Sequence, residues 1–493
     1  MKLLLITLSL FSLLQADTIT IEEASTRITF ENIKLSDDED MGLVGLNYLL
    51  EPNNNFYYGL GVYGAVSGDR GGFFVGGFTA GLKYEIFKNL YIDSGVFAGG
   101  GGGASAGQGG GLMLKAYMGA LYRFDEYSLG VNYSHVRFPN GEIKGNQLAF
   151  VADMKFDTVF ASPKVDADDF GRYHFTSLND YVVATYQVYE PVSNTKTRSG
   201  APLTQAVKLM GVEYGANLSE NIIVYLESAG AMGGESTGYM EVLGGVGYTT
   251  KITQNSNLQA KLSLGAAGGG EIDTAGGGIT KAHLNFNYNL AKDINLGLGA
   301  GYFHALEGGF DAPFAKVNVG INSNFLSLGS SNKKMIDFES ITTQKFTIRV
   351  VNQTYLYSNT LSTNPQNKEN VQLVGMKIDW FMSENLYLSG QAFGAYKGGA
   401  GGYAAGMFAL GYVQPLIYDF SAVAEVGLGA GGGGSINTGG GNIIQPMIGI
   451  MYNITEDVAF ETMYGRIQAL NGDLEADVLD FSLVYRFNKL RVK

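Results

Sequence analysis

Ala98-Gly-Gly-Gly-Gly-Gly-Ala-Ser-Ala-Gly-Gln-Gly-Gly-Gly-Leu112 returns in altered form as Ala267-Gly-Gly-Gly-Glu-Ile-Asp-Thr-Ala-Gly-Gly-Gly-Ile279 and as Ala430-Gly-Gly-Gly-Gly-Ser-Ile-Asn-Thr-Gly-Gly-Gly-Asn442. A second marker sets the period. Leu43-Val44-Gly45, Leu209-Met210-Gly211 and Leu373-Val374-Gly375 open equivalent segments, spaced by 211 − 45 = 166 and 375 − 211 = 164 residues. Nearly the whole chain is therefore one unit written three times.

Outward from these markers the chain alternates. Val44, Leu46, Tyr48 and Leu50 share one face, with Gly45 and Asn47 on the other; Met210, Val212 and Tyr214 oppose Gly211 and Glu213; Val374, Met376, Ile378 and Trp380 oppose Gly375, Lys377 and Asp379. A period of two is the mark of a strand with two unlike faces. A water-soluble sandwich gives the same alternation with its apolar face turned inward. Glycine on the polar face and aromatics at the ends of the apolar one favour a membrane wall. On that reading Asn47, Lys83, Asp93, Lys115, Glu213, Lys377 and Asp379 face the lumen. Each unit resolves into about eight strands, joined alternately by tight turns such as Lys88-Asn89 and Asp125-Glu126 and by longer polar links such as 192–202 and 360–369.

Composition agrees. The chain has 493 residues, of which 45% are apolar and only 16% charged, so it is not a disordered chain. Glycine supplies 71 residues without a Gly-X-Y period, which excludes collagen. Past the N-terminus no run of 18 apolar residues occurs, so no helix is expected to cross a membrane. Lys2, the apolar run Leu3 to Leu14 and Gln15-Ala16 ahead of Asp17 read as a secretory signal cut after Ala16. An exported chain without cysteine has no disulfide framework. The net charge of −13 becomes −14 once Lys2 leaves, which argues against a basic nucleic-acid-binding face.

The last strand of each unit alternates strongly: Leu148, Phe150, Ala152, Met154, Phe156; Ala315, Val317, Val319, Ile321, Ser323, Phe325; and Leu479, Phe481, Leu483, Tyr485, Phe487. Here the sequence resembles Gram-negative outer-membrane β-barrel proteins, porin-like ones included, whose closing strand alternates apolar residues and ends in Phe. The resemblance implies that Leu483, Tyr485 and Phe487 form a signal for the barrel-insertion machinery, that the short turns are periplasmic, and that lipid and lipopolysaccharide surround the wall. Residues 488–493 run past that Phe, a departure from the pattern.

The expected organisation is a signal peptide at 1–16, β repeat units at 17–156, 168–325 and 337–487, linkers at 157–167 and 326–336, and a C-terminal extension at 488–493.

Motifs for chemistry fail on inspection. Gly59-Leu-Gly61-Val-Tyr-Gly64 matches a dinucleotide fingerprint but lies inside a strand with no helix to hold a pyrophosphate. Gly234-Glu-Ser236-Thr-Gly238 matches a nucleophile elbow but lies in a loop between strands. Asp166-Ala-Asp168-Asp-Phe-Gly171 begins like a calcium loop, yet Ser177 holds the twelfth position, where a bidentate Glu is required. The acidic run Asp37-Asp38-Glu39-Asp40 reads as a solvated loop. Of the histidines His135, His174, His283 and His304, two are equivalent: Tyr133-Ser-His135 aligns with Tyr302-Phe-His304 and with Tyr464-Gly-Arg466. These residues, with Trp380, are read as a membrane girdle, the bases reaching headgroup phosphates. No catalytic, cofactor or metal site is expected.

The fold expected is a transmembrane antiparallel β-barrel of about 24 strands from three eight-strand repeats, since closure satisfies every backbone group in lipid. One ring is preferred on the general rarity of tandem barrels, and three tandem eight-stranded barrels are the alternative. The leading function is an outer-membrane channel for passive diffusion of small polar solutes, mildly cation-preferring. The alternatives are a non-conducting scaffold or adhesin and, least supported, a hydrolase. The oligomeric state is left open.

Overall fold

The computed structural model describes residues 19–35, 39–53, 55–161, 175–233, 236–328 and 340–492. The signal region, His174, Asp37-Asp38, Gly234-Glu235 and the 166–171 motif lie outside the described residues. Among the described residues there are 26 strands and no α-helix.

The first unit holds β1 (Ile19–Lys34), β2 (Asp40–Asn53), β3 (Phe56–Ser67), β4 (Phe74–Phe87), β5 (Leu90–Gly102), β6 (Met113–Phe124), β7 (Tyr127–Arg137) and β8 (Lys144–Ala161). After the short β9 (Phe175–Ser177) come β10 (Tyr181–Tyr189), β11 (Val207–Asn217), β12 (Ile222–Gly233), β13 (Met240–Thr253), β14 (Ser256–Gly268), β15 (Gly278–Asn289), β16 (Ile294–Ala305) and β17 (Asp311–Asn322). The short β18 (Leu326–Leu328) precedes β19 (Ile341–Tyr355), β20 (Val371–Phe381), β21 (Leu386–Lys397), β22 (Ala404–Pro415), β23 (Phe420–Gly432), β24 (Asn442–Asn453), β25 (Val458–Ala469) and β26 (Glu475–Val492). Asn89 and Asp125 take left-handed φ of 65° and 53° in the tight turns the sequence marks, a conformation in which Asn and Asp are enriched.

The single ring is not what forms. Each unit closes on itself: Ile28 pairs with Leu46 on β2 and with Ala152 on β8. Val183 likewise pairs with Glu213 and Gly320, and Arg349 with Lys377 and Val484. The molecule is three eight-stranded barrels, and one residue pair, Asn488 with Ala161, joins the ladders of the first and third. The physical reason lies in the inward side chains. Eight strands leave an interior that side chains can fill, and the inward acids and bases of each unit meet one another across it. In a ring three times as large they would face water instead.

Unit boundaries shift accordingly. Residues 157–161, read as linker, continue β8, and 488–492, read as an extension, continue β26 along the start of β19. Leu326–Leu328 pairs with Phe175–Ser177. These pieces bury Ile19, Val159, Phe175, Leu326, Ile341 and Leu490 together at the short-turn end.

Candidate functional site

Three features of the barrels carry functional information: their outer wall, their interiors and the junction between them.

The wall is apolar outward. Phe150 and Leu148 in the first barrel are each 66% exposed, Leu298 in the second 64% and Ile448 in the third 67%, among dozens of exposed Leu, Ile, Val, Phe and Tyr. In water so much contiguous apolar surface would aggregate; against lipid tails it is at home. Tyr133, Tyr302 and Tyr464 lie outward at the loop end. The base two residues on finds a partner on the neighbouring strand each time. His135 Nδ1 lies 2.7 Å from Asn146 Oδ1, His304 Nδ1 2.7 Å from Asp311 Oδ1, and Arg466 2.9 Å from Glu475.

Trp380 and two outward residues of the closing strand are covered rather than open. Tyr485 and Phe487 point outward yet are only 8% and 7% exposed, and Leu483 is buried too. Phe487 stacks on Phe346 at 5.7 Å and meets Phe160 of the first barrel at 5.4 Å, while Trp380 packs against Phe325 at 5.7 Å. The outer faces that read as lipid contact here meet another barrel, because an apolar strand face suits either neighbour.

The expected lumen residues all point inward, but into a packed interior. In the first barrel Arg27 reaches Asp93 at 2.9 Å and Asp153 at 2.8 Å, Lys83 binds Glu51 at 2.8 Å, Lys115 binds Glu31 at 2.5 Å, and Asn47 Oδ1 accepts from Thr79. In the second, a zigzag runs Lys261–Glu213–Lys316–Glu227–Lys281–Glu241 with N–O separations of 2.5–3.0 Å. Three bases alternate with three acids, and Tyr189 donates to the last carboxylate at 2.9 Å. In the third, Arg349 holds Asp379, Glu425 and Glu461, while Lys377 holds Glu425 and Asp480. All these core residues are buried. His283 is buried against Phe314 and Tyr225 in the second barrel. Most of these partners, Arg27, Glu227, Lys281, Lys316, Arg349 and Glu425 among them, escaped the sequence reading. The signal was there: acids and bases recur on inward positions of the alternation in all three units.

The glycine segments build the junction. In all three the same turn forms, with bonds Ala106 N to Gly103 O, Ile272 N to Gly269 O and Ile436 N to Gly433 O, then Gly111 N to Gln108 O, Gly277 N to Thr274 O and Gly441 N to Thr438 O. Gly111, Gly277 and Gly441 sit at φ of 94°, 94° and 92°, open to glycine and closed to other residues. Each segment lies against the β3–β4-type loop of another barrel. A β-carbon on Gly72 would come 2.3 Å from Gly269 N, one on Gly238 3.1 Å from Gly433 N, and one on Gly402 2.9 Å from Gly103 N. Backbone bonds cross the contact, Gly71 N to Ala275 O at 2.8 Å and Gly402 N to Gly101 O at 3.1 Å. The second unit thus docks on the first, the third on the second and the first on the third.

Fold and wall together define the class: an all-β membrane protein of the outer-membrane barrel type. No protein-family profile and no curated protein matches the sequence. Among solved structures it is similar to OpdQ of Pseudomonas aeruginosa, at 8% identity over 96% of this chain and 98% of that one with a TM-score of 0.22. It is also similar to OccAB3 of Acinetobacter baumannii (10%, 96% and 99%, 0.23) and to the siderophore receptor PirA of Pseudomonas aeruginosa (9%, 96% and 80%, 0.27). Likenesses this weak carry no argument about function.

Proposed function

We propose that the protein is an outer-membrane scaffold of three fused barrels whose individual lumens are closed, and that it presents its long loops as one platform. The observation that carries this is the filling of the interiors by buried ion-pair chains, which occupy the space a solute path needs. Under this reading the protein is not an enzyme, reaches the outer membrane by its signal peptide and the barrel-insertion machinery, contacts lipopolysaccharide through the Tyr–base girdle, and binds no nucleic acid. Planar-bilayer recording on the refolded full chain tests it. A silent membrane at ±100 mV is expected. Reproducible unitary steps would overturn the closed-lumen reading.

A second reading, the channel for small polar solutes, is favoured by one feature. The third barrel holds a cavity of about 370 Å³ at its short-turn end, reaching as deep as Arg349 and Glu461. Passage would then run through this barrel alone, and the acidic excess at its floor would supply the mild cation preference.

A further inference from the structure

The short-turn ends of the first and third barrels can be compared position by position. Thr29 and Val351 pair with the equivalent Gly45 and Gly375, which places Glu23, Glu51 and Lys155 at the positions of Lys345, Phe381 and Arg486. Lys83 and Val413 correspond in the same way, through their pairing with Asp93 and Val423. In the first barrel these four side chains plug the mouth: Lys83 and Lys155 both bind Glu51, and Lys155 also binds Glu23. In the third barrel neither acid is present. Lys345, Phe381, Val413 and Arg486 line the open cavity instead, with the turn residues Glu384 and Asp419 also on its lining. Lys345 Nζ lies 4.1 Å over the Phe381 ring, and Arg486 donates to Asn453 Oδ1 at 2.6 Å; neither cation has a carboxylate within ion-pair distance among the described residues.

The floor has the opposite sign. Four buried carboxylates, Asp379, Glu425, Glu461 and Asp480, meet two bases, Arg349 and Lys377. Glu461 is fully buried, lines the cavity, and leaves its Oε2 without a hydrogen-bond partner, as Arg349 leaves its Nε. A buried acceptor with no partner is costly, more so when charged, so a donor arriving there is favoured. Glu461 lies opposite Ser482, four residues from Arg486 along β26, which is roughly 13 Å at the rise of a strand. Both side chains line the same cavity.

We propose that this cavity is a binding site for a small zwitterion, with its ammonium at Glu461 and its carboxylate between Lys345 and Arg486. A volume of about 370 Å³ falls at the lower end of the range for small-ligand pockets, about 300–1,000 Å³. The site opens on the short-turn side, and its existence does not depend on whether the barrel conducts.

Calorimetric titration of the full chain in detergent micelles, with 4-aminobutanoate, butanoate and butylammonium as probes, tests the assignment. The expected result is 4-aminobutanoate binding at least tenfold tighter than either single-charge analogue, with Glu461→Gln and Arg486→Met each removing that advantage. Lys345→Glu restores the acid the first barrel carries, gives Arg486 a partner and should abolish binding without disturbing the fold, which covers the case in which Glu461→Gln misfolds. Absence of 4-aminobutanoate binding, equal binding of butanoate or of butylammonium, or binding unchanged in Lys345→Glu would each overturn the proposal.

Discussion

Leu298 and Lys316 lie on neighbouring strands, one turned out of the second barrel and the other into it, and they respond to substitution for opposite reasons. Leu298→Arg sets a charge against lipid near the middle of β16 and should cost about 2–4 kcal/mol. Urea titration of the protein refolded in lipid vesicles would register that loss. Lys316→Met removes the cation shared by Glu213 and Glu227 and leaves two buried carboxylates under-paired, a loss of about 3–5 kcal/mol for a broken buried pair. Adding Glu227→Gln to it should recover part of the loss, since one stranded charge goes with it; a double variant less stable than the single would count against the zigzag. At this scale the sequence was half legible. The inward side of Lys83, Lys115, Glu213 and Lys377 follows from a period of two. Their partners do not, because partners such as Arg27 and Asp153 lie 126 residues apart and meet only after closure.

Glycine distinguishes elements that look alike in composition. Gly72 belongs to a loop under a neighbouring barrel's backbone and has φ of +91°, whereas Gly76, four residues on in β4, has nothing within 4 Å of where a β-carbon would stand. Gly72→Ala should lower the melting temperature measured by circular dichroism, from about 1–3 kcal/mol of backbone strain alone plus the clash at Gly269. Gly76→Ala should leave it unchanged. Equal effects would show that the junction does not matter to stability. The triple recurrence announced that these segments share a geometry, and alternation placed the strands between them. What a one-dimensional pattern does not contain is the neighbour of an outward face: Trp380 and Phe487 read as lipid contacts because lipid and a second barrel reward the same apolar side chains.

For the molecule as a whole, the choice between one ring and three turns on which edge strand β8 meets. Alternation is identical in both cases, and the preference for a single ring came from the general rarity of tandem barrels rather than from any residue. The chain has no cysteine, so introduced pairs report cleanly. Cysteines at Ile28 and Ala152, directly opposed in the ladder, should crosslink within the first unit, since opposed strand residues sit within disulfide reach. Cysteines at Ala152 and Val183 should not. Mass spectrometry of the oxidised peptides reads both, and the reverse pattern would restore the single ring.

The docking of each glycine segment onto a neighbour's loop has one direction around the molecule, so every unit is both plug and socket, and after three steps none is left over. A head-to-tail contact whose rotation closes makes a ring, and one that does not makes a fibre. Cutting the chain after the second unit would leave an arc with a bare socket at one end and a bare plug at the other, competent to recruit the missing third as a separate polypeptide. A lone ancestral unit using the same contact with copies of itself would already have been a trimer, and fusing three copies into one chain would have freed each lumen to diverge, one sealed by alternating charges and another left with an open mouth.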